Sequence, residues 1–256
     1  MNTLFTRIAI ATGLLGLAHS ALAQDCQVLD RFPTEIRESG RYCLDRTHLL
    51  NLPKNTSAIS VSVPHVEIDL RGYTLANKNA DQSPYCNVPS IKPSTTGIRV
   101  VNTHNVRITG GSLYCFGTGV SIIESACIGC NQGHRIDRMR IQKSGAYGIF
   151  AQSGNSVFES NHITSTGNFE GESYFGIRIT DGNGNTIRNN DVQGVFFGTG
   201  IGLDNSSFSL VIENRVQNAE TGFQIYADKE VRYRDNVTTE VRTPYRNVGT
   251  DLGNNQ

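Results

Sequence analysis

Two arginines in this 256-residue sequence have the type and setting to hold an acidic substrate, Arg99 in Gly97-Ile98-Arg99-Val100 and Arg178 in Gly176-Ile177-Arg178-Ile179. A guanidinium fork matches a carboxylate. Elimination from a uronate needs that carboxylate neutralised, the C5 proton removed and the leaving oxygen protonated. Arg178 with Arg99 suits the first task, and Tyr174, Tyr226 or His134 suits the other two. Hydrolysis instead needs two carboxyl groups flanking the scissile bond, for which Glu170, Glu172, Asp181 and Asp204 are the candidates. Asp181 and Asp204 could also hold a Ca2+ bridging to a substrate carboxylate, though no compact acidic cluster accompanies them. No other metal or cofactor is expected.

Each of these residues also has a plainer reading. An exposed arginine on a strand pairs with Asp or Glu on a neighbouring strand. Acidic residues in glycine-rich loops are solvated, and Asp181-Gly182-Asn183-Gly184-Asn185 reads as a tight turn, as does His104-Asn105. His134 and His162 lie near strand ends, where a structural or solvent-facing role suffices.

What must position these residues is a repeat. Gly97, Gly119, Gly148, Gly176, Gly200 and Gly222 each lead a short alternating strand, at steps of 22, 29, 28, 24 and 22 residues. A period in that range marks one rung of a stacked solenoid. A second strand follows in each rung, as in Val106-Arg107-Ile108 and Thr186-Ile187-Arg188, and asparagine recurs at the next turn as Asn161, Asn190, Asn214 and Asn236. Stacked asparagines can bond one rung to the next and tolerate left-handed backbone. No helical pattern of useful length appears. The expected fold is all-β, a single-domain right-handed parallel β-helix of about eight or nine rungs over residues 58–256. Residues 24–57 lack the repeat and read as an N-terminal cap.

Successive side chains on a strand point to opposite faces. With the residue after each glycine inward, Arg99, Ser121, Phe150, Arg178, Gly202, Gln224 and Arg246 form one outward row. Val101, Ile123, Gln152, Thr180, Asp204 and Tyr226 form the next. A sugar chain laid along that face would meet Arg99, Phe150, Gln152, Asp204 and Gln224. Two insertions, Glu124 to Gln132 and Thr166 to Phe175 (the latter with Glu170 and Glu172), could wall it. A third segment, Gly194 to Thr199, carries Phe196 and Phe197. Those rings could stack on sugars, although packing between loops is the simpler reading.

Composition sets the compartment. Residues 1–23 read as an export signal cleaved after Ala23, with Arg7, the apolar run Ile8 to Leu17, and Ala21-Leu22-Ala23. That run is too short to span a bilayer, and no later stretch approaches the ~20 apolar residues a span needs. The chain is therefore expected in a periplasm or outside the cell. Loss of the signal removes one arginine from a balance of 23 basic and 23 acidic residues, leaving a net charge near −1. Near-neutrality argues against nucleic acid as a partner, since phosphate neutralisation needs a concentrated basic surface. Six cysteines in an exported chain imply up to three disulfides, and Cys26 with Cys43 is the pairing that would staple the cap. Cys127-Ile128-Gly129-Cys130 could be redox-active, but without a surrounding βαβ pattern a structural clamp is expected. Zinc lacks a second CxxC.

Val66-Glu67-Ile68-Asp69-Leu70-Arg71-Gly72-Tyr73-Thr74-Leu75 resembles the first-coil signature of pectin-lyase-like β-helix proteins. The Gly-Ile strands and Asn-x-Ile/Val turns resemble the same superfamily's repeats over residues from about 40 to 245. The resemblance implies a lyase, hydrolase, epimerase or non-catalytic binder of polysaccharide. The polygalacturonase set is not assembled, since Arg178-Ile179 is followed by Thr180, and the Asp-Pro-His motif of alginate epimerases is missing. The expectation is an exported monomer acting on an acidic polysaccharide by β-elimination. A non-catalytic polysaccharide binder is the alternative and a glycoside hydrolase the second.

Overall fold

The computed structural model of the protein describes residues 26–78, 95–124, 131–167, 174–226, 230–247 and 249–256. Among them every regular element is a strand and none is a helix, so no helix is long and apolar enough to cross a membrane. The chain coils into a single β-solenoid of about seven regular turns. The spacing of the repeat implies eight or nine rungs, somewhat more than the turns seen.

Three parallel ladders form its sides. In the first, the strands led by Ser57, Thr96, Thr118, Tyr147, Phe175, Thr199, Thr221 and Thr243 stack in that register. Ile59, Ile98, Val120, Ile149, Ile177, Ile201 and Phe223 make its inward row, each buried to within 1%. The Phe223 ring then stacks on Tyr245, 5.3 Å between centroids. The second ladder contributes Ile68, Ile108, Ile136, Phe158, Ile187 and Val211 to the core. The third contributes Leu75, Leu113, Ile141, Ile163, Val192 and Val216. No single rung could bury its own apolar row, so each is stable only between neighbours.

The repeated glycine is required by space rather than by backbone angle. A Cβ on Gly176 would stand 2.3 Å from Val192 Cγ1 and 2.7 Å from the carbonyl oxygen of Gly200. One on Gly148 would stand 2.6 Å from Ile163 Cγ2 and 2.5 Å from the Gly176 oxygen. The third ladder's β-branched row therefore presses on the corner where each first-ladder strand begins. The glycine and the residue after it both face inward.

Asparagine bonds rung to rung as expected. The Asn190 side-chain oxygen accepts from the Asn161 backbone N–H at 3.0 Å, Asn214 from Asn190 at 3.0 Å, and Asn236 from Asn214 at 3.0 Å. The left-handed position is not the asparagine itself but the residue before it. Ser160, Asn189, Glu213 and Asp235 have φ between 52° and 55°. The ladder asparagine must hold its side chain along the stack, so the preceding residue takes the turn.

The cap is built on the same plan. Thr34–Ile36, Gly40–Cys43 and His48–Leu50 pair with Ser57–Val61, Val66–Asp69 and Thr74–Asn77. A Cys26–Cys43 disulfide, 5.7 Å between Cα atoms, ties its first residues to the second ladder.

Candidate functional site

The outward register of the first ladder is the one the repeat implies. Arg99 pairs with Ser121, Ser121 with Phe150, Phe150 with Arg178, Arg178 with Gly202, Gly202 with Gln224, and Gln224 with Arg246. Near its centre Arg178 Nε donates to Asp204 Oδ2 at 2.9 Å, Nη2 lies 2.9 Å from the same oxygen, and Nη1 donates to the Tyr147 hydroxyl at 3.4 Å. The guanidinium sits over the Phe175 ring at 4.9 Å. Burial disfavours its charge, but the hydrogen bond and charge of Asp204, with the Tyr147 hydroxyl, outweigh that. Arg178 is held above the ordinary arginine value. Tyr147 also contacts Phe150 (5.2 Å) and stacks on Phe175 (6.2 Å), giving an aromatic strip beside the cation.

A cleft opens at each end of this face. The C-terminal one has a volume of about 740 Å³ and is lined by Phe196, Phe197, Gln224, Glu220, Glu240, Arg242 and Arg246 among others. Phe196 is 60% and Phe197 42% exposed, so packing between loops does not account for these rings. Arg242 Nη1 lies 3.7 Å from Glu220 Oε1. The N-terminal cleft, about 540 Å³, is lined by Thr34, Glu35, Asn55, Ser57, Ser60 and Arg99 among others.

The chain matches the family model of the right-handed β-helix region over residues 96–254. It belongs to that family. No curated protein matches it in sequence. Among solved structures, this right-handed β-helix is similar to the enzymatically active domain of bacteriophage CBA120 tailspike protein 2. The identity is 12% and the TM-score 0.51, over 84% of this chain and 37% of that one. It is also similar to the GH136 lacto-N-biosidase from Eubacterium ramulus, with 8% identity and TM-score 0.53 over 86% of this chain and 44% of that one. The β-helix thus spans less than half the length of either, and at such identities the likeness is one of fold.

Of the residues singled out in the sequence, Arg178, Asp204, Phe150, Gln152, Gln224, Tyr226 and Arg99 all lie on the first-ladder face. Tyr226 is 44% exposed and pairs in register with Asp204. Gln152 accepts from the Glu124 backbone N–H at 3.2 Å. His134 does not join them, and Tyr174 lines the C-terminal cleft only as a buried residue. Tyr174 is 3% exposed, its side chain packed where a Cβ on Gly167 would collide. His134 is 1% exposed, and its Nδ1 accepts from the Val106 N–H at 3.2 Å. Desolvation lowers its pKa to about 4, so the ring is a neutral turn fastener facing away from the outward surface.

The side chains proposed for Ca2+ already have partners, Asp204 in Arg178 and Asp181 in Asn205 Nδ2 at 3.2 Å. Among the described residues no three His, Cys, Asp or Glu side chains gather for a metal. Glu170, Glu172, the CxxC pair Cys127 and Cys130, and the export signal lie outside the described residues. Cys115 is disulfide-bonded.

Sequence reasoning missed Tyr147, Glu220, Glu240 and Arg242. Strict alternation turns the residue before each glycine inward, yet Tyr147 stands there and faces the same side as Arg178. Two consecutive inward positions at the corner break the period. The signal was present in the glycine itself, because a residue with no Cβ can face a crowded core.

Proposed function

We propose that the protein is exported and acts on an acidic polysaccharide laid along the first ladder, cleaving it by β-elimination at Arg178. The observation that carries this reading is the Arg178 guanidinium flanked by Asp204 and Tyr147 on the outward face. Its two hydrogen bonds use two of its five N–H groups, leaving donors for a substrate carboxylate. A neutralised carboxylate makes the C5 proton acidic. As the Tyr147 hydroxyl takes that proton it gives its own to O4. The C4–O4 bond breaks, the C5–H electrons form the C4–C5 double bond, and the tyrosine ends unchanged. The Cys26–Cys43 disulfide suits an oxidising compartment, in keeping with export.

A second reading has its own observation. Glu220 and Glu240 both line the C-terminal cleft, and the register of Ala219 with Val241 puts them on adjacent rungs. Glycoside hydrolysis requires two carboxyl groups flanking the scissile bond, and these two lie beside the exposed Phe196 and Phe197 rings.

Incubation with a panel of acidic and neutral polysaccharides separates these, if ultraviolet absorbance and reducing ends are followed together. Both rising supports elimination, because it leaves an unsaturated sugar. Reducing ends alone overturn it in favour of Glu220 and Glu240. Silence in both, with retention on one polymer in an affinity gel, leaves a binding protein without catalysis.

A further inference from the structure

Counted from the residues that lead the first-ladder segments, Thr96, Thr118, Tyr147, Phe175, Thr199, Thr221 and Thr243, that face carries four charged residues, Arg99, Arg178, Asp204 and Arg246, while Glu220, Glu240 and Arg242 precede it on the same strands and line the cleft with Arg246. All three arginines stand in one outward row. The register sets Arg99 three rungs from Arg178 and Arg178 three rungs from Arg246, with Ser121 and Phe150, then Gly202 and Gln224, between them. At roughly 4.8 Å per rung the arginines recur about every 14 Å.

Several arginines on the other two ladders are held by acids, although Arg71 and Arg140 have no acidic partner among the described residues, and within the row Arg178 is paired with Asp204. On the second ladder Arg107 lies 2.9 Å from Asp137, Arg138 lies 3.0 Å from it, and Arg135 and Arg188 both bind Glu159. Burial would raise Asp137, but the hydrogen bonds from Arg107, Thr109 and Arg138 hold it below the ordinary carboxylate value. On the third ladder Arg215 lies 2.9 Å from Asp191. Those arginines fasten rungs together. Arg99 and Arg246 have no acidic partner among the described residues, and each opens into one of the two clefts. Glu35, which pairs with Ser60 and so continues the row beyond Arg99, is itself bound by Arg37 at 2.7 Å.

We propose that this row is a charge ruler, recognising a polyuronate that turns its carboxylate toward the protein at every third sugar. An extended pyranose chain advances about one rung per residue. A chain that rotates by a third of a turn per sugar therefore presents carboxylates at the arginine spacing. A chain repeating every second sugar misses the second arginine and comes back into step only at the third, so it would show no step at the tetramer. The ruler rests on the elimination reading, since that reading makes the anionic group a carboxylate. It goes further in fixing the conformation of the chain and the number of sugars held.

Equilibrium binding of galacturonate oligomers of increasing length tests it, with the wild type and with Tyr147→Phe, in which the probe stays intact. A trimer reaches one arginine, a tetramer two and a heptamer three. Affinity is expected to rise in steps from trimer to tetramer and from hexamer to heptamer, each by roughly five- to tenfold for a partly exposed charge-assisted contact. Between those lengths it should change little. Arg99→Ala or Arg246→Ala should each remove one step, the double variant both, and lysine at either position should restore part of it. Affinity that climbs smoothly with length, or steps that survive the double variant, overturns the ruler. If the wild type still eliminates polyuronate in that case, the proposed function stands without it. If no uronate is bound or cleaved, both fall.

Discussion

Asp204 lies on the rung after Arg178 and two positions further along its strand, yet its Oδ2 is 2.9 Å from the Arg178 guanidinium. The pair is diagonal rather than directly opposed, because Gly202 occupies the opposed position and the space a side chain would take there is filled by the Phe175 ring, 2.4 Å from where its Cβ would stand. Asp204 thus orients the cation while Phe175 supports it from beneath. Asp204→Asn removes a charge that competes with substrate but loosens the guanidinium. It is expected to lower kcat roughly tenfold through lost positioning, without raising KM. A raised KM with unchanged kcat would show that Asp204 contacts the substrate instead.

The asparagine stack should be among the most sensitive features of the fold. Asn190 accepts from the Asn161 backbone and donates to the Phe158 carbonyl at 2.8 Å, all in the interior. Asn190→Ala leaves both buried backbone groups unpaired and should cost about 3 kcal/mol or more, read as a shift in urea midpoint. A loss below about 1 kcal/mol would mean that water replaces the side chain.

At the first-ladder corner, Gly176→Ala drives a methyl against Val192 and the Gly200 carbonyl, and a carbonyl in a ladder cannot step aside. The expected cost is about 3 kcal/mol, at the upper end for overpacking. Val192→Ala in the same chain should recover part of it. No recovery would place the clash with the backbone alone.

His134 supplies a pH dependence with a defined sign. Its folded pKa is lowered from 6.5 to about 4, chiefly by desolvation. Between those values the unfolded chain binds the extra proton, so stability falls as pH drops through that window. The total is on the order of 3 kcal/mol. His134→Asn keeps a hydrogen-bond acceptor without titrating; it should be less stable at neutral pH and show a much flatter profile from pH 6.5 to 4. An equal slope in the variant would assign the effect elsewhere.

Reduction of the Cys26–Cys43 disulfide, which closes a sequence separation of 17 residues, should cost about 3 kcal/mol if the cap unfolds with the solenoid. Unchanged stability under reductant would show that the cap opens independently.

The solenoid was legible because its period is long, repeated and enforced by sterics at every corner. Gly97 to Gly222 mark where each strand enters the first ladder, and Asn161 to Asn236 mark one turn. The outward row from Arg99 to Arg246 followed from alternation alone and has the register expected. Tyr147 was invisible because the corner suspends alternation for one residue. Tyr174 and His134 differ from the catalytic reading for the opposite reason: each is a polar side chain near a loop, where exposure is the simplest assumption, yet both are buried, Tyr174 in the wall of the C-terminal cleft. The cap lacked the glycine repeat, so its participation in all three ladders could be seen only in three dimensions.

The most direct test is elimination by Arg178→Ala compared with Arg178→Lys, measured as ultraviolet absorbance on a uronate polymer the wild type cleaves, with unchanged Tm confirming the fold. Loss of turnover in the alanine variant and partial retention in the lysine variant are expected, because a point charge neutralises the carboxylate without the fork. Wild-type turnover in Arg178→Ala would remove the centre of the proposed site.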